Sequence, residues 1–207
     1  MFKNIPIVTR LIFLVSVITL LMLGTIIYAT TSGLRSMQRL DSDMQLTIDN
    51  VQAFDQINYL MSRQRYRLLD GAMSSDPAYA AKKAEEFLNN RALITEASKK
   101  YEATLQDDKQ RELLGVWKAH RSAYAKDGND PLVADLQAGR LADAAKQSTE
   151  VAAQLYEPIN TDIENIRSYN LELQDRKAAE VKAASLRAQY FSIALVIALA
   201  ALPGLLA

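Results

Sequence analysis

The chain has 207 residues, 24 basic and 24 acidic side chains, no cysteine and one histidine, and 49% of it is hydrophobic. Zero net charge argues against a nucleic-acid partner, which selects a basic balance. The missing cysteines exclude a disulfide framework, a thiolate metal site and a cysteine nucleophile, and a lone histidine leaves little for a triad or a His-based metal centre. Seven glycines and five prolines are too few for a turn-rich all-β fold. No nucleophile–base pair, metal cluster or phosphate loop stands out, so the chain reads as a non-enzyme without a cofactor. Adjacent acids such as Glu85 and Glu86 point apart on a helix and form no acid–base dyad.

Charge is segregated along the chain. No charged residue occurs from Leu11 to Leu34 or from Ala188 to Ala207, and every acidic residue lies between Asp41 and Glu180. The first apolar run, Leu11 to Ala29, spans about 28 Å as a helix, close to the ~30 Å of a bilayer core. Lys3 and Arg10 precede it without an acid, which places residues 1–10 in the cytoplasm. The competing reading is a cleaved signal peptide, but the run is longer than a secretory core and Ile27-Tyr28-Ala29 is a poor cleavage site. The second run, Tyr190 to Ala207, opens with two aromatics suited to the membrane interface and tolerates Pro203 there. The chain stops inside this run, as the front part of a longer protein would; a tail anchor is the alternative. The expected layout is a cytoplasmic N-terminus at 1–10, transmembrane helices at 11–30 and 189–207, and a domain at 31–188 outside the cytoplasmic membrane.

That middle region reads as four helices. Met44, Val51, Phe54, Met61 and Leu68 repeat at spacings of three and seven, which predicts a packed helix face running to about Met73. Asp76-Pro77 is an N-cap followed by proline at N1 and opens a second helix, to about Leu105. Asp107-x-x-Gln110 resembles a capping box and opens the third. Gly128-Asn129-Asp130-Pro131 interrupts it, and a short segment then ends near Gly139. A fourth helix starts near Leu141 and is expected to run unbroken into the second span. Short connections make neighbours antiparallel. The fold class is all-α: an up-down-up-down four-helix bundle flanked by two membrane helices, with apolar stripes diluted enough to invite a second copy.

In this layout, and in its opening MFKNIPIVTRLIFLVSVITLLML, the chain resembles the front half of bacterial methyl-accepting chemotaxis receptors. The same bundle occurs on histidine kinases and diguanylate cyclases, and a ligand-free membrane-anchored coiled-coil scaffold is the other alternative. The resemblance implies a periplasmic ligand-binding bundle in the bacterial inner membrane. It also implies a homodimer with its ligand between subunits, and cytoplasmic signalling partners reached through a missing C-terminal part. The ligand would be a small carboxylate, or a ligand-loaded periplasmic binding protein. Aspartate receptors of this family hold ligand carboxylates with an Arg-x-x-x-Arg pair followed by apolar residues and an Asp. Arg63-Gln-Arg-Tyr-Arg67-Leu-Leu-Asp70 matches that pair, whereas the family's third arginine, five residues earlier, is Asn58 here.

The residues themselves offer the same candidates. Arg63 and Arg67 are four apart and share a helix face, where two guanidinium forks can grip a carboxylate; Arg65 faces elsewhere. The plain alternative is a solvated face, with the arginines paired to Asp70 or to acids of the second helix. Pro158 cannot donate to the carbonyl of Gln154, which leaves that oxygen for a ligand, with Tyr156 and Asn160 lining the notch. Trp117, Arg121 and Tyr124 share a face of the third helix; they either cap an organic acid or form core with an arginine reaching out to water. His120 is expected to be exposed and without a role.

Overall fold

A computed structural model describes residues 6–205. Every regular element in them is helical: α1 (Ile7–Ala72), α2 (Pro77–Ala103), α3 (Asp108–Ala123), α4 (Asp130–Gln137), α5 (Leu141–Lys146) and α6 (Ala153–Leu205). Two six-residue π turns, Tyr124–Asn129 and Gln147–Ala152, join α3 to α4 and α5 to α6. The chain divides into two compact units, one formed by residues 1–43 and 178–207 and the other by Met44–Lys177.

The Met44–Lys177 unit is the four-helix bundle. Its arms are the outer part of α1, then α2, then α3–α4, then α5 with the first part of α6. Three of the predicted stops and starts are there. The Asp76 carboxylate accepts from Ala78 N–H and Pro77 sits at N1 of α2. The Asp107 carboxylate accepts from Gln110 N–H at 2.9 Å, and Gln110 Oε1 accepts from the backbone N–H of Gln106, one residue before the cap, at 2.7 Å. Gly139, with φ +70°, closes α4: Gly139 N–H donates to Leu136 and Arg140 N–H to Asp135, a Schellman pair that only a left-handed residue supports cheaply.

Two apolar clusters fill the bundle. Phe54, Ile57 and Met61 of α1 meet Ile94 and Tyr101 of α2, Leu114 and Trp117 of α3, and Tyr156, Ile159 and Ile166 of α6. Nearer the outer tip, Leu68 and Ala72 pack with Ala80, Ala84, Phe87, Leu132, Leu136 and Ala144. Each such large side chain contributes roughly 1.5–3 kcal/mol by leaving water. At the opposite end, the base, a polar layer crosses all four arms. Gln110 Nε2 donates to both Asn50 and Asn170 at 3.0 Å, Asn50 Nδ2 donates to Thr104 Oγ1 at 2.9 Å, and Asn170 Nδ2 donates to Tyr101 Oη at 3.2 Å. Asn50, Tyr101 and Gln110 are fully buried.

The structure departs from the expected third and fourth helices at two places. Gly128-Asn129-Asp130-Pro131 does not interrupt the third arm; the chain stays helical through the first π turn. Pro131 has no N–H to give the Asp127 carbonyl and its ring would crowd that oxygen. The widened turn absorbs the misfit, with Asp130 N–H reaching back five residues to Ala125. The Gln147 side chain then donates to the Asp127 carbonyl at 2.8 Å and to that of Gly128 at 3.3 Å. The fourth arm is likewise not one unbroken α-helix, because Gln147 belongs to the second π turn. The two turns pack on each other. Glycine at 128 permits it, since a Cβ there would lie 3.1 Å from the Tyr124 ring and 3.4 Å from Ala152 Cα.

In the other unit, α1 carries a stretch long and apolar enough to cross a membrane, with mean hydropathy 1.7 and none of it buried. Its polar side chains bond within the helix: Ser16, Thr19, Thr30 and Thr31 hydroxyls donate to carbonyls four residues back. Residues 1–5, in the leader expected in the cytoplasm, lie outside the described residues, as does part of the second apolar run, 190–207.

Candidate functional site

The arginine-bearing turn of α1 lies seven residues below the outer end of that helix, and its three arginines go three ways. Arg63 is exposed and makes no ion pair among the described residues. It shares its face with Tyr59 and Tyr66, four before and three after it. Those two rings and Met73 recur every seven residues at 61%, 71% and 78% exposure, an uncovered heptad seam. Arg67 is half-buried and turns to α2, with Nε 3.9 Å from Glu86. The nearby Lys83 bridges Asp70 at 3.1 Å and Glu86 at 3.8 Å. The Tyr79 hydroxyl also donates to Asp70, and these two partners hold that carboxyl below its ordinary value.

Arg65, the one read as facing elsewhere, is the arginine that meets the fourth arm. Its guanidinium lies 4.2 Å from the centre of the Tyr156 ring, and no carboxylate among the described residues pairs with it. Tyr156 is buried and stands edge-on to Tyr124, with centroids 5.2 Å apart. Burial raises both phenols; the Ser62 hydroxyl and then the Arg65 charge temper the rise at Tyr156, and the same charge tempers it at Tyr124. Of the other notch residues, Gln154 and Asn160 are exposed on α6. Within one copy of the chain no hydrogen bond or ion pair among the described residues joins Arg63 or Arg67 to Gln154, Tyr156 or Asn160.

The Trp117–Arg121–Tyr124 face is core with an arginine lying along it. Trp117 and Tyr124 are buried, and the Arg121 guanidinium sits 5.4 Å from the Trp117 ring while donating to Thr95. Burial, then the charge of Arg91, lowers the Arg121 pKa. Arg121 and Tyr124 line a chamber of about 20 Å³ with Gln64, Arg65, Arg91 and Asn129. In it Gln64 Nε2 and Asn129 Oδ1, both buried, have no hydrogen-bond partner among the described residues. Beyond Arg65 and Tyr124 a second cavity, of about 250 Å³, opens against the second π turn. His120, expected to be exposed, keeps 44% of its side chain open to solvent, and its Nδ1 lies 2.7 Å from Oδ2 of the buried Asp162. The helical phase of α3 sets it at the bundle's edge, where the ring reaches Asp162 of α6 while staying open to water. No group of three or more His, Cys, Asp or Glu that could hold a metal occurs among the described residues.

Sequence reasoning passed over Gln64, Asn129, Ser148 and the base layer. Some of these carried a signal. Thr47, Asn50 and Gln64 fall on the same three-and-four stripe as Phe54, Ile57, Met61 and Leu68, and a polar residue on a core stripe is either paired indoors or waiting for a partner. Arg65 carried none, because only the tertiary fold brings Tyr156 beneath it.

No curated protein and no solved structure matches the chain. A family model described as "Tar ligand binding domain homologue" matches residues 1–173. The all-helical bundle, with arginines gathered near its outer end, agrees with that match, and the chain belongs to this family of chemotaxis-receptor periplasmic sensor domains.

Proposed function

We propose that this chain is the sensing half of a two-span chemoreceptor that works as a homodimer. Residues 11–30 and 189–207 cross the inner membrane, residues 31–188 face the periplasm, and a small organic acid binds between the two copies. The uncovered seam of Tyr59 and Tyr66 on α1 and Met73 just past its end, with Arg63 in the midst of it making no ion pair among the described residues, carries the reading. A second copy packed on that seam covers the rings and brings another chain's α6 near Arg63, where Gln154 and Asn160 offer polar groups. Arg67, tied to Glu86, serves from behind by fixing the turn. The back-bonded hydroxyls of the first apolar stretch suit a helix in lipid, where every polar group needs a partner. A ligand signals only as far as it prefers one arrangement of the arms over another, and α6 is the arm that leads to the second span and on to a cytoplasmic output domain.

The cysteine-free sequence makes the test direct. In the full chain in membranes, Tyr66→Cys should form an oxidant-driven dimer in high yield, and exposed Gln137→Cys of α4 should not. A thermal-shift screen of C4 dicarboxylates should give stabilisation that Arg63→Ala abolishes. A Tyr66→Cys chain that stays monomeric, or a shift that survives Arg63→Ala, refutes the placement.

A further inference from the structure

We propose that the cavity beside the second π turn is a binding site within a single copy of the chain. Its ligand is a small organic monoanion with a compact apolar body. The site is separate from the Arg63 face and stands whether or not that reading holds.

The walls sort into two kinds. Leu68, Leu69, Leu132, Ala152 and Ala153 make an apolar lining, and Arg65, Tyr124, Ser148 and Thr149 supply the polar groups. Leu68 and Leu132 are each 2% exposed, so the depth of the cavity is a dry surface. The Thr149 hydroxyl is spent on the Ala145 carbonyl. The hydroxyls of Tyr124 and Ser148 have no hydrogen-bond partner among the described residues, and both side chains are buried. Arg65 Cζ lies 4.2 Å from the centre of the Tyr156 ring and its guanidinium has no hydrogen-bond or ion-pair partner among the described residues, so its N–H fork remains available for a bidentate grip on a carboxylate. Arg121 and Arg91 stand behind Tyr124 on the adjoining chamber, which adds positive potential on that side.

Size and charge choose the ligand class. A buried cavity of about 150 Å³ takes up benzene; at about 250 Å³ this one holds a single ring or a branched chain of similar bulk together with its carboxylate. A dicarboxylate is disfavoured, because its second charge would be pressed against Leu68 and Leu132 without a cation. The widened turns are what make the room: the second π turn carries Ser148 and Ala152, and the first begins at Tyr124. Such turns gather at functional sites in helical proteins.

Benzoate is the probe, with succinate as the charge control, titrated by calorimetry into the full chain in detergent against matched blanks. Wild type should bind benzoate, and an Arg63→Ala chain, which lacks the dicarboxylate face proposed above, should release no comparable heat with succinate. Arg65→Gln should weaken benzoate at least about ten-fold, as expected for losing a charged hydrogen-bond pair. Ala152→Leu, which fills the cavity, should abolish binding, while Arg63→Ala should leave benzoate affinity within two-fold. If Ala152→Leu does not fold, Thr149→Phe at the exposed mouth serves instead. No benzoate heat with wild type at millimolar concentration, or binding that survives both Arg65→Gln and the cavity-filling variant, overturns the proposal.

Discussion

The two ends of the bundle handle buried polarity in opposite ways. At the base, Asn50, Tyr101, Thr104, Gln110 and Asn170 form a closed set in which each amide finds its partners. Toward the tip, Gln64 Nε2 and Asn129 Oδ1 are buried without a hydrogen-bond partner, and Arg65 without a carboxylate, among the described residues, and there the structure opens a cavity. A satisfied layer fixes the register of four helices, because sliding any one by a residue would break several bonds at once. Unpaired groups beside empty space cost stability and leave the arms free to settle around something else. The base is built to hold and the tip to respond.

The strongest challenge to this contrast is Gln110→Ala. It strips a partner from both Asn50 and Asn170 and takes the Gln110 Oε1 acceptor away from the Gln106 N–H, while the Asp107 cap, made to the backbone of Gln110, survives. Denaturant unfolding should show a loss of roughly 2–4 kcal/mol, the sum for the orphaned Asn50 Oδ1 and Gln106 N–H. A loss under about 1 kcal/mol would mean the layer is loosely coupled and the two ends do not differ in kind.

An intermediate effect is expected from alkali. Burial pushes the Tyr101 phenol up to about 12, against an ordinary value of about 10. The folded state keeps that proton longer than the unfolded chain. The resulting stability is therefore complete below pH ~10 and lost as pH rises through about 12, a change on the order of 2 kcal/mol. Tyr124 and Tyr156 shift the same way, at the other end. Tyr101→Phe should flatten part of the alkaline slope of the unfolding midpoint; an unchanged slope would assign it wholly to the tip.

The smallest effect separates the ends most sharply. Gln64→Leu removes an unpaired donor from the small chamber and should leave stability unchanged or raise it by about 1 kcal/mol. The same substitution logic applied at the base is destabilising. A Gln64→Leu chain that unfolds more easily would show that Gln64 does have a partner in solution.

Much of the architecture was legible beforehand because it depends on local chemistry. Asp76-Pro77, Asp107-x-x-Gln110 and Gly139 each announce a helix end through groups within four residues, and all three are where they were expected. The four-arm layout followed from those ends and from the apolar stripe of α1. Pro131 was read as a break because local rules say so; Gln147, sixteen residues away, overrides them by filling the carbonyl that the proline abandons. The candidate site was less legible for the same reason. Spacing puts Arg63 and Arg67 on one face, yet Glu86 draws Arg67 aside and Tyr156 draws Arg65 in, and neither partner can be located from α1 alone.

The π turns also bear on how this molecule is compared with its kin. A turn closed five residues back rather than four accommodates one surplus residue, and one residue of helix is about 100° of rotation. Against a relative lacking the second turn, an ungapped alignment would assign everything after Ala152 to the wrong side of its helix. Transferring binding positions onto Gln154, Tyr156 or Asn160 by counting along the chain therefore demands a single-residue gap near 150.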